Sequence, residues 1–448
     1  MSFIESPETA INASRFDLAV EAVQFTLPLY EMARMRSATC PRVDHTGRFA
    51  GESPESLKRW ANEWFHTREL LGPQHRRVVT PNNDTLYSSA WLDLSDGPLV
   101  IRVPAMQTRY YVLGLLDIYT NPFGYIGTRT TGNDAGAFFL HGPAWRGEVP
   151  AGMCAIACPT DAIWLIGRIL VDGEDDLAQG VALQDQLTVE PAPGSGAQVP
   201  KLMEAGIQPT ERLGDADRYA QVVNHALAAD PPPPETMATL ARFASCGIGA
   251  AHQHTPLDDV QRTTLGRAIA HVTRELTGAP PLALGGGWAL PVDVRESFVD
   301  DYRERAQVAL CYIGALGIEE AMYITADCDA DGAMLDGNAP YVLHFAAGNA
   351  PQVEAFWSLT AYEKATCMLA GNAIARYSLG DRTRSLRYDE DGGLRIAISA
   401  AEPADPVLRC NWLPAPAERF YLALRLYVPR KTHLERTFIY PPIRRQTH

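Results

Sequence analysis

The sequence predicts an α+β fold: two antiparallel β-sandwich, jelly-roll-like domains joined by a helical segment and preceded by an N-terminal helix pair. Three observations predict it. Apolar residues recur at helical spacing over 14–36, short apolar runs broken by Gly, Pro and Asp fill 85–170 and return near the C-terminus, and helical patterns lie between the two. Strand blocks separated by helix blocks point to α+β rather than to a doubly wound α/β fold. At 448 residues the chain is too long for one ordinary core, and 46% hydrophobic content fills two. The expected units are 1–190, 191–295 as the helical connection, and 296–448.

In the first helical stretch Phe16, Leu18, Ala19, Ala22, Val23, Phe25, Leu29 and Met32 share a face, and Pro28 is expected to break it into a pair. Strand-like runs follow at Leu99 to Val103, Tyr110 to Leu116, Phe138 to Leu140 and Ala162 to Leu170, a density that suits a sandwich or barrel. Glu190 to Gly196 reads as a linker. Helices are expected at about 215–229, 234–245 and 256–277, with Pro231 to Pro234 as a spacer, and a further helix at about 296–316 leads into the second strand-rich region.

A net charge of −14 and a pI near 5.3 argue against an electrostatic grip on nucleic acid or an anionic membrane. No basic start followed by an apolar run opens the chain, and no apolar stretch approaches about 20 residues. A cytoplasmic address follows as the expectation. Eight cysteines without C-x-x-C spacing support neither a zinc knuckle nor a disulfide framework. His252-Gln253-His254 sits in loop-like context with no third ligand at a recognisable spacing, so no metal is expected there. Gly285-Gly286-Gly287-Trp288 lacks the strand-to-helix setting of a nucleotide fingerprint, and no cofactor is expected.

The polar turn Thr80-Pro81-Asn82-Asn83-Asp84-Thr85-Leu86-Tyr87-Ser88 feeds a strand, which makes it the first candidate site. It is grouped with Asp117, Tyr119, Asn121 and Arg129. Asp117 ends an apolar run, so its carboxylate must find donors, find a cation such as Arg77, Arg102, Arg109 or Arg129, or keep its proton. It reads equally as an acid/base group and as an Asx turn pinning a hairpin. In the C-terminal region Phe356 to Tyr362 alternates, placing Trp357, Leu359 and Ala361 on one face and Ser358, Thr360 and Tyr362 on the other. Arg376, Asp381 and Arg382 offer two guanidiniums and a carboxylate that either clamp an acidic substrate bidentately or bond each other across a loop, with the structural Arg376 and Asp381 pair favoured. Trp412, between Asn411 and two prolines, suits either a packing plug or a flat ligand.

Thr80 to Trp91, Tyr110 to Tyr125 and Gly127 to Gly132 resemble the N-terminal domain of unknown function family 1254. Phe356 to Tyr362, Arg376 to Asp381, Asn411 to Pro416 and Leu424-Arg425-Leu426-Tyr427 resemble its usual companion, family 1214. The resemblance implies paired β-rich, sandwich-like domains joined by helices, and it assigns no catalytic roles. Two features differ from the family pattern. Many relatives begin with an export signal, and the stretches Arg295 to Tyr302 and Asn372 to Ala375 lack the Gly-Tyr-Gly-like entry and the Asn-Pro step usual there.

The expected function is a metal-independent enzyme doing acid/base chemistry (isomerisation, elimination or hydrolysis) on a small polar organic molecule in a pocket of the N-terminal sandwich. Asp84, Asp117, Tyr87 and Tyr119 are the expected catalytic groups. Asn82, Asn83, Asn121, Arg129, Trp357, Tyr362, Arg376 and Trp412 are the expected substrate contacts. The competing expectation is a carbohydrate-binding or assembly protein presenting Trp357 and Trp412. The partner expected is a small molecule, with neither nucleic acid nor membrane, and a homo-oligomer is compatible with either reading.

Overall fold

The computed structural model describes residues 7–40, 58–75, 79–204, 215–294 and 301–446, with residues 209, 213 and 298; side chains are described for all of these except 7–13, 58, 59, 203 and 204. Among them the architecture is α+β, with eight α-helices and five sheets. No helix of the described residues is long and apolar enough to cross a membrane.

The first unit is built on a five-stranded antiparallel sheet. Its strands run in the order Phe65–His66, Thr85–Asp93, Ala162–Leu170, Tyr111–Asp117 and Pro122–Gly127. A four-stranded mixed sheet faces it, ordered Thr188–Pro191, Leu99–Val103, Gly136–His141 and Cys154–Ala157, with its last pair parallel. Alternation along the strands explains the arrangement. Ala90, Leu92, Leu113, Leu115 and Leu165 enter a core shared with Leu99, Ile101 and Leu140, while Trp91, Val112, Trp164 and Ile166 point the other way, onto the helices.

The second unit repeats the plan. A six-stranded antiparallel sheet is ordered Leu282–Gly285, Trp288–Leu290, Ala321–Ala326, Phe420–Pro429, Val353–Glu363 and Ser378–Gly380. A four-stranded mixed sheet is ordered Trp412–Pro414, Leu394–Ser399, Tyr341–Phe345 and Ile443–Arg445. Trp357, Leu359, Leu424, Leu343, Phe345 and Ile396 close one core between them. Two strands of the larger sheet, Leu282–Gly285 and Trp288–Leu290, fall inside 191–295, which the sequence reads as purely helical. The Gly285-Gly286-Gly287 run is their hairpin turn, with φ of +87, +64 and +94, a backbone region open to glycine.

The N-terminal helix differs from expectation. Pro7–Thr39 is one 33-residue helix that keeps Pro28 inside it rather than a broken pair. Proline removes the N–H owed to the carbonyl four residues back and crowds that turn. Here the side chains around it are fully buried (Ala22, Phe25, Leu29, Met32), and Arg305 donates from Nη2 to the Phe25 carbonyl at 3.2 Å, one residue past the Gln24 carbonyl whose helical donor the proline lacks. This helix packs with Ala216–Ala229, Asp259–Thr277 and Tyr302–Cys311. The start of the last helix expected from sequence lies in 295–297 and 299–300, outside the described residues. The helical core takes in the outward face of the five-stranded sheet and also Ala321, Phe356 and Tyr427 of the six-stranded sheet, so the two β-rich units meet beside it.

Candidate functional site

The turn at Thr80 to Asp84 is the point where the first unit meets the polar face of the second. Its local shape is an Asx turn: Asn82 Oδ1 accepts from Asp84 N at 2.7 Å. Thr80, with φ +52, turns its backbone so that its N–H reaches the Cys367 carbonyl at 2.7 Å and its carbonyl accepts from Arg425 Nη2 at 3.0 Å. Tyr362 donates to the Pro81 carbonyl at 2.7 Å, and Asn82 Nδ2 donates to Tyr427 Oη at 2.6 Å. Ser358, Thr360 and Tyr362 do share the face expected of them. All three hydroxyls are used: Ser358 on Asp84 at 2.6 Å, Thr360 as acceptor from Arg425 at 3.1 Å, and Tyr362 as acceptor from Arg425 at 2.6 Å. Burial pushes the Tyr362 phenol up to about 12, and the Arg425 charge opposes the rise.

Asp84 is 3% exposed. One oxygen accepts from Ser358 and the other from Arg382 Nη2 at 2.9 Å, so two residues almost 300 positions away hold it. Arg382 in turn lies over the Phe356 ring, 4.3 Å from its centre, and Phe356 stacks on Tyr427 at 4.0 Å. Beside this pair opens a cleft of about 320 Å³. The first unit lines it with Asn83, Asp84, Asp172 and Asp175. The second supplies Ser378, Arg382, Thr383 and Arg384. Three carboxylates against two guanidiniums, with hydroxyls and an amide between, suit a small polar molecule that is uncharged or zwitterionic.

The other expected residues are not in this cleft. Asp117 pairs with Ile163 across the sheet, whereas Thr85 pairs with Leu170. Seven strand residues separate the two ends, about 23 Å at a strand rise of ~3.3 Å per residue. Asp117 is 4% exposed and its oxygens accept from Tyr119 N, Asn121 N and Asn121 Nδ2 at 2.8 to 2.9 Å. Burial raises its carboxyl; the Asn121 and Tyr119 bonds and the Arg305 charge offset part of that. This is the hairpin-pinning alternative. None of the arginines proposed for it bonds to it: Arg102 pairs with Glu190, Arg109 with Asp176 and Arg129 with Glu320, while Arg77 lies outside the described residues. Tyr119 donates to the Asp230 carbonyl at 2.8 Å, and burial holds its phenol protonated. Asn121 is spent on Asp117. Tyr87 lies under the Arg168 guanidinium, 5.6 Å from ring centre, rather than in the cleft.

The C-terminal expectations divide likewise. Trp357 is 2% exposed in the second core, and Trp412 is 9% exposed with its indole N–H on the Ser399 carbonyl at 2.9 Å, so neither offers a ring face to a ligand. Arg376 does not pair with Asp381. It donates to the Cys410 and Trp412 carbonyls at 3.1 and 2.9 Å, while Asp381 accepts from Trp357 N at 3.2 Å. His252 ends a short 3-10 turn, and no group of three or more His, Cys, Asp or Glu that could hold a metal occurs among the described residues. Sequence reasoning missed Arg168, Arg425 and Glu320. A signal for the two arginines was present: each stands inside an apolar strand run, Ile166-Gly167-Arg168-Ile169 and Leu424-Arg425-Leu426, where a cation needs an interior partner.

Two family models match the chain, both described as proteins of unknown function: DUF1254 over residues 61–191 and DUF1214 over 320–431. Comparison with curated proteins returned no match. Among solved structures, the VPA0106 protein from Vibrio parahaemolyticus is similar in fold, with a TM-score of 0.72 at 24% identity over 97% of this chain and 100% of that one. A putative uncharacterized protein from Burkholderia cenocepacia aligns at 14% identity over 98% and 96% of the two chains, with a TM-score of 0.43.

Proposed function

We propose, for a chain that belongs to the proteins joining a DUF1254 domain to a DUF1214 domain, that it is an enzyme performing acid/base chemistry on a small polar organic molecule held in the cleft between the two units. Each unit is read as a sandwich, and the site as lying between the sandwiches rather than inside the first. One observation carries the proposal: the cleft draws its walls from both matched segments and has a nearly buried carboxylate, Asp84, beside a cation, Arg382. In this reading Asp84 exchanges the proton, and Arg382 stabilises negative charge that develops on the substrate. Asn83, Ser378 and Thr383 orient it. The substrate carries hydroxyl or zwitterionic groups, because the walls hold acceptors and donors in near balance.

A second reading is binding without turnover, favoured by the fact that both Asp84 oxygens already have partners. One experiment separates them. The protein is incubated with metabolite pools, turnover is followed by NMR, and ligand binding by thermal shift, for the natural chain, D84N and a cleft-filling Thr383→Trp variant. Conversion that D84N abolishes while binding persists supports the enzyme. A ligand that protects the natural chain, fails on Thr383→Trp and is recovered unchanged supports the binding protein. If no pool component shifts or reacts differently between the natural chain and Thr383→Trp, the cleft is not the site.

A further inference from the structure

The contact between the two units encloses more positive charge than negative. Asp84 is matched by Arg382 at 2.9 Å, and Glu320 by Arg129 at 2.7 Å with Tyr110 donating to its other oxygen at 2.8 Å. Among the described residues Arg425, 3% exposed, has only neutral acceptors within bonding distance: Thr360, Tyr362 and the Thr80 carbonyl. Arg168 has less still.

Arg168 sits mid-strand in the five-stranded sheet at 5% exposure, on the face turned towards the second unit, with Trp164 and Ile166 on the same side. Its one protein bond is a long one, Nη2 to the Gly314 carbonyl at 3.5 Å, and Nε and Nη1 are buried without a partner among the described residues. Leaving such donors unpaired is costly, and a fold does not bear that without return. The groups around it are phenols. Tyr87 lies against the guanidinium, and Tyr323, 5.7 Å from the Arg425 guanidinium to its ring centre, feels the charge of both arginines. Tyr87 and Tyr323 are each half-buried as whole residues. Tyr110 and Tyr427 complete the surround, and both are occupied, by Glu320 and Asn82 respectively.

We infer that Arg168, Tyr87 and Tyr323 form an internal site for a monovalent anion, a halide or the carboxylate of a small organic molecule. The guanidinium supplies N–H donors from Nε and Nη1 and the phenols supply O–H donors, a set that contains no acceptor anion of its own. Burial holds Tyr323 and Tyr427 as neutral phenols, which leaves the arginine charges to an outside anion. The site stands apart from the cleft reading, since neither Arg168 nor Tyr323 lines the cleft.

The test uses the full chain. Crystals grown in bromide are expected to show an anomalous peak within hydrogen-bond distance of Arg168 Nε or Nη1. At constant ionic strength, replacing bulky gluconate with chloride or formate is expected to raise the melting midpoint with the logarithm of anion concentration, and Arg168→Gln is expected to remove that dependence. Formate that displaces the bromide peak identifies a carboxylate site; bromide that persists in excess formate identifies a halide site. An ordered water in that position, with no difference between gluconate and chloride, overturns the proposal. So does phenolate absorbance at neutral pH that Tyr323→Phe removes, because a tyrosinate would then supply the missing charge. Should Arg168→Gln fail to fold, the bromide crystals of the natural chain and Tyr323→Phe still decide it.

Discussion

His433 is fully buried between two partners that admit one protonation state. The Gln352 N–H donates to its Nε2 at 3.0 Å, so the ring proton is on Nδ1, which donates to Tyr440 Oη at 2.8 Å. Burial lowers its pKa from 6.5 to about 4. The unfolded chain therefore binds a proton that the folded chain refuses between those values. The sign follows: the contribution is whole above pH 6.5 and is lost as pH falls towards 4, about 3 kcal/mol in all at ~1.4 kcal/mol per unit. Urea unfolding from pH 7.5 to 4 should show His433→Gln losing less stability than the natural chain across that window; parallel curves would rule this out. Asp117 makes the second residue-scale prediction. Its carboxylate satisfies three donors in a buried turn, so Asp117→Ala should cost about 3 kcal/mol while leaving cleft ligands unaffected. That the carboxylate must be satisfied was legible from its place at the end of an apolar run. Which partner satisfies it was not, because Asn121 does so only once the chain turns at Tyr119 and Thr120.

At the scale of elements, the Ser378–Gly380 strand decides how the clasp on Asp84 is presented. Gly380 pairs with Ser358, and a Cβ there would sit 2.1 Å from the Trp357 carbonyl. Backbone, not a movable side chain, is in the way. Gly380→Ala should therefore lift the edge strand, destabilise by about 1–3 kcal/mol and weaken cleft binding together with stability; unchanged unfolding would show that the edge strand yields freely. The long helix teaches the converse. Pro28 reads locally as a break, but the burial of the side chains around it outweighs the local cost and carries the helix through. Alternation in Phe356 to Tyr362 was legible because a strand's two faces differ by one residue. That its polar face meets another sheet rather than solvent was not.

Across the whole molecule, the link between units is polar and specific: Asp84 with Ser358 and Arg382, the Thr80 carbonyl with Arg425, Pro81 with Tyr362, Asn82 with Tyr427. Separating the units would leave Asp84 without Ser358 and Arg382 and take the Thr80 carbonyl from Arg425, and an uncompensated buried charge is costly. Calorimetry should therefore give one unfolding transition; two resolved peaks would contradict the coupling. A double-mutant cycle of Asp84→Asn with Arg382→Gln should give a coupling of about 1–3 kcal/mol, and additivity would reduce the clasp to a surface pair.

What the chain's order of residues determined by itself was the α+β content, the strands near 99–103, 110–116, 138–140 and 162–170, the two faces of Phe356 to Tyr362 and the family, because periodicity and turn chemistry are local properties. Tertiary structure alone decided which polar groups work together. It set Asp84 beside Arg382 and removed Asp117, Tyr119 and Arg129 from its company, since side-chain pairing across several hundred positions depends on how sheets stack. The same stacking left Arg168 facing phenols with two donors to fill.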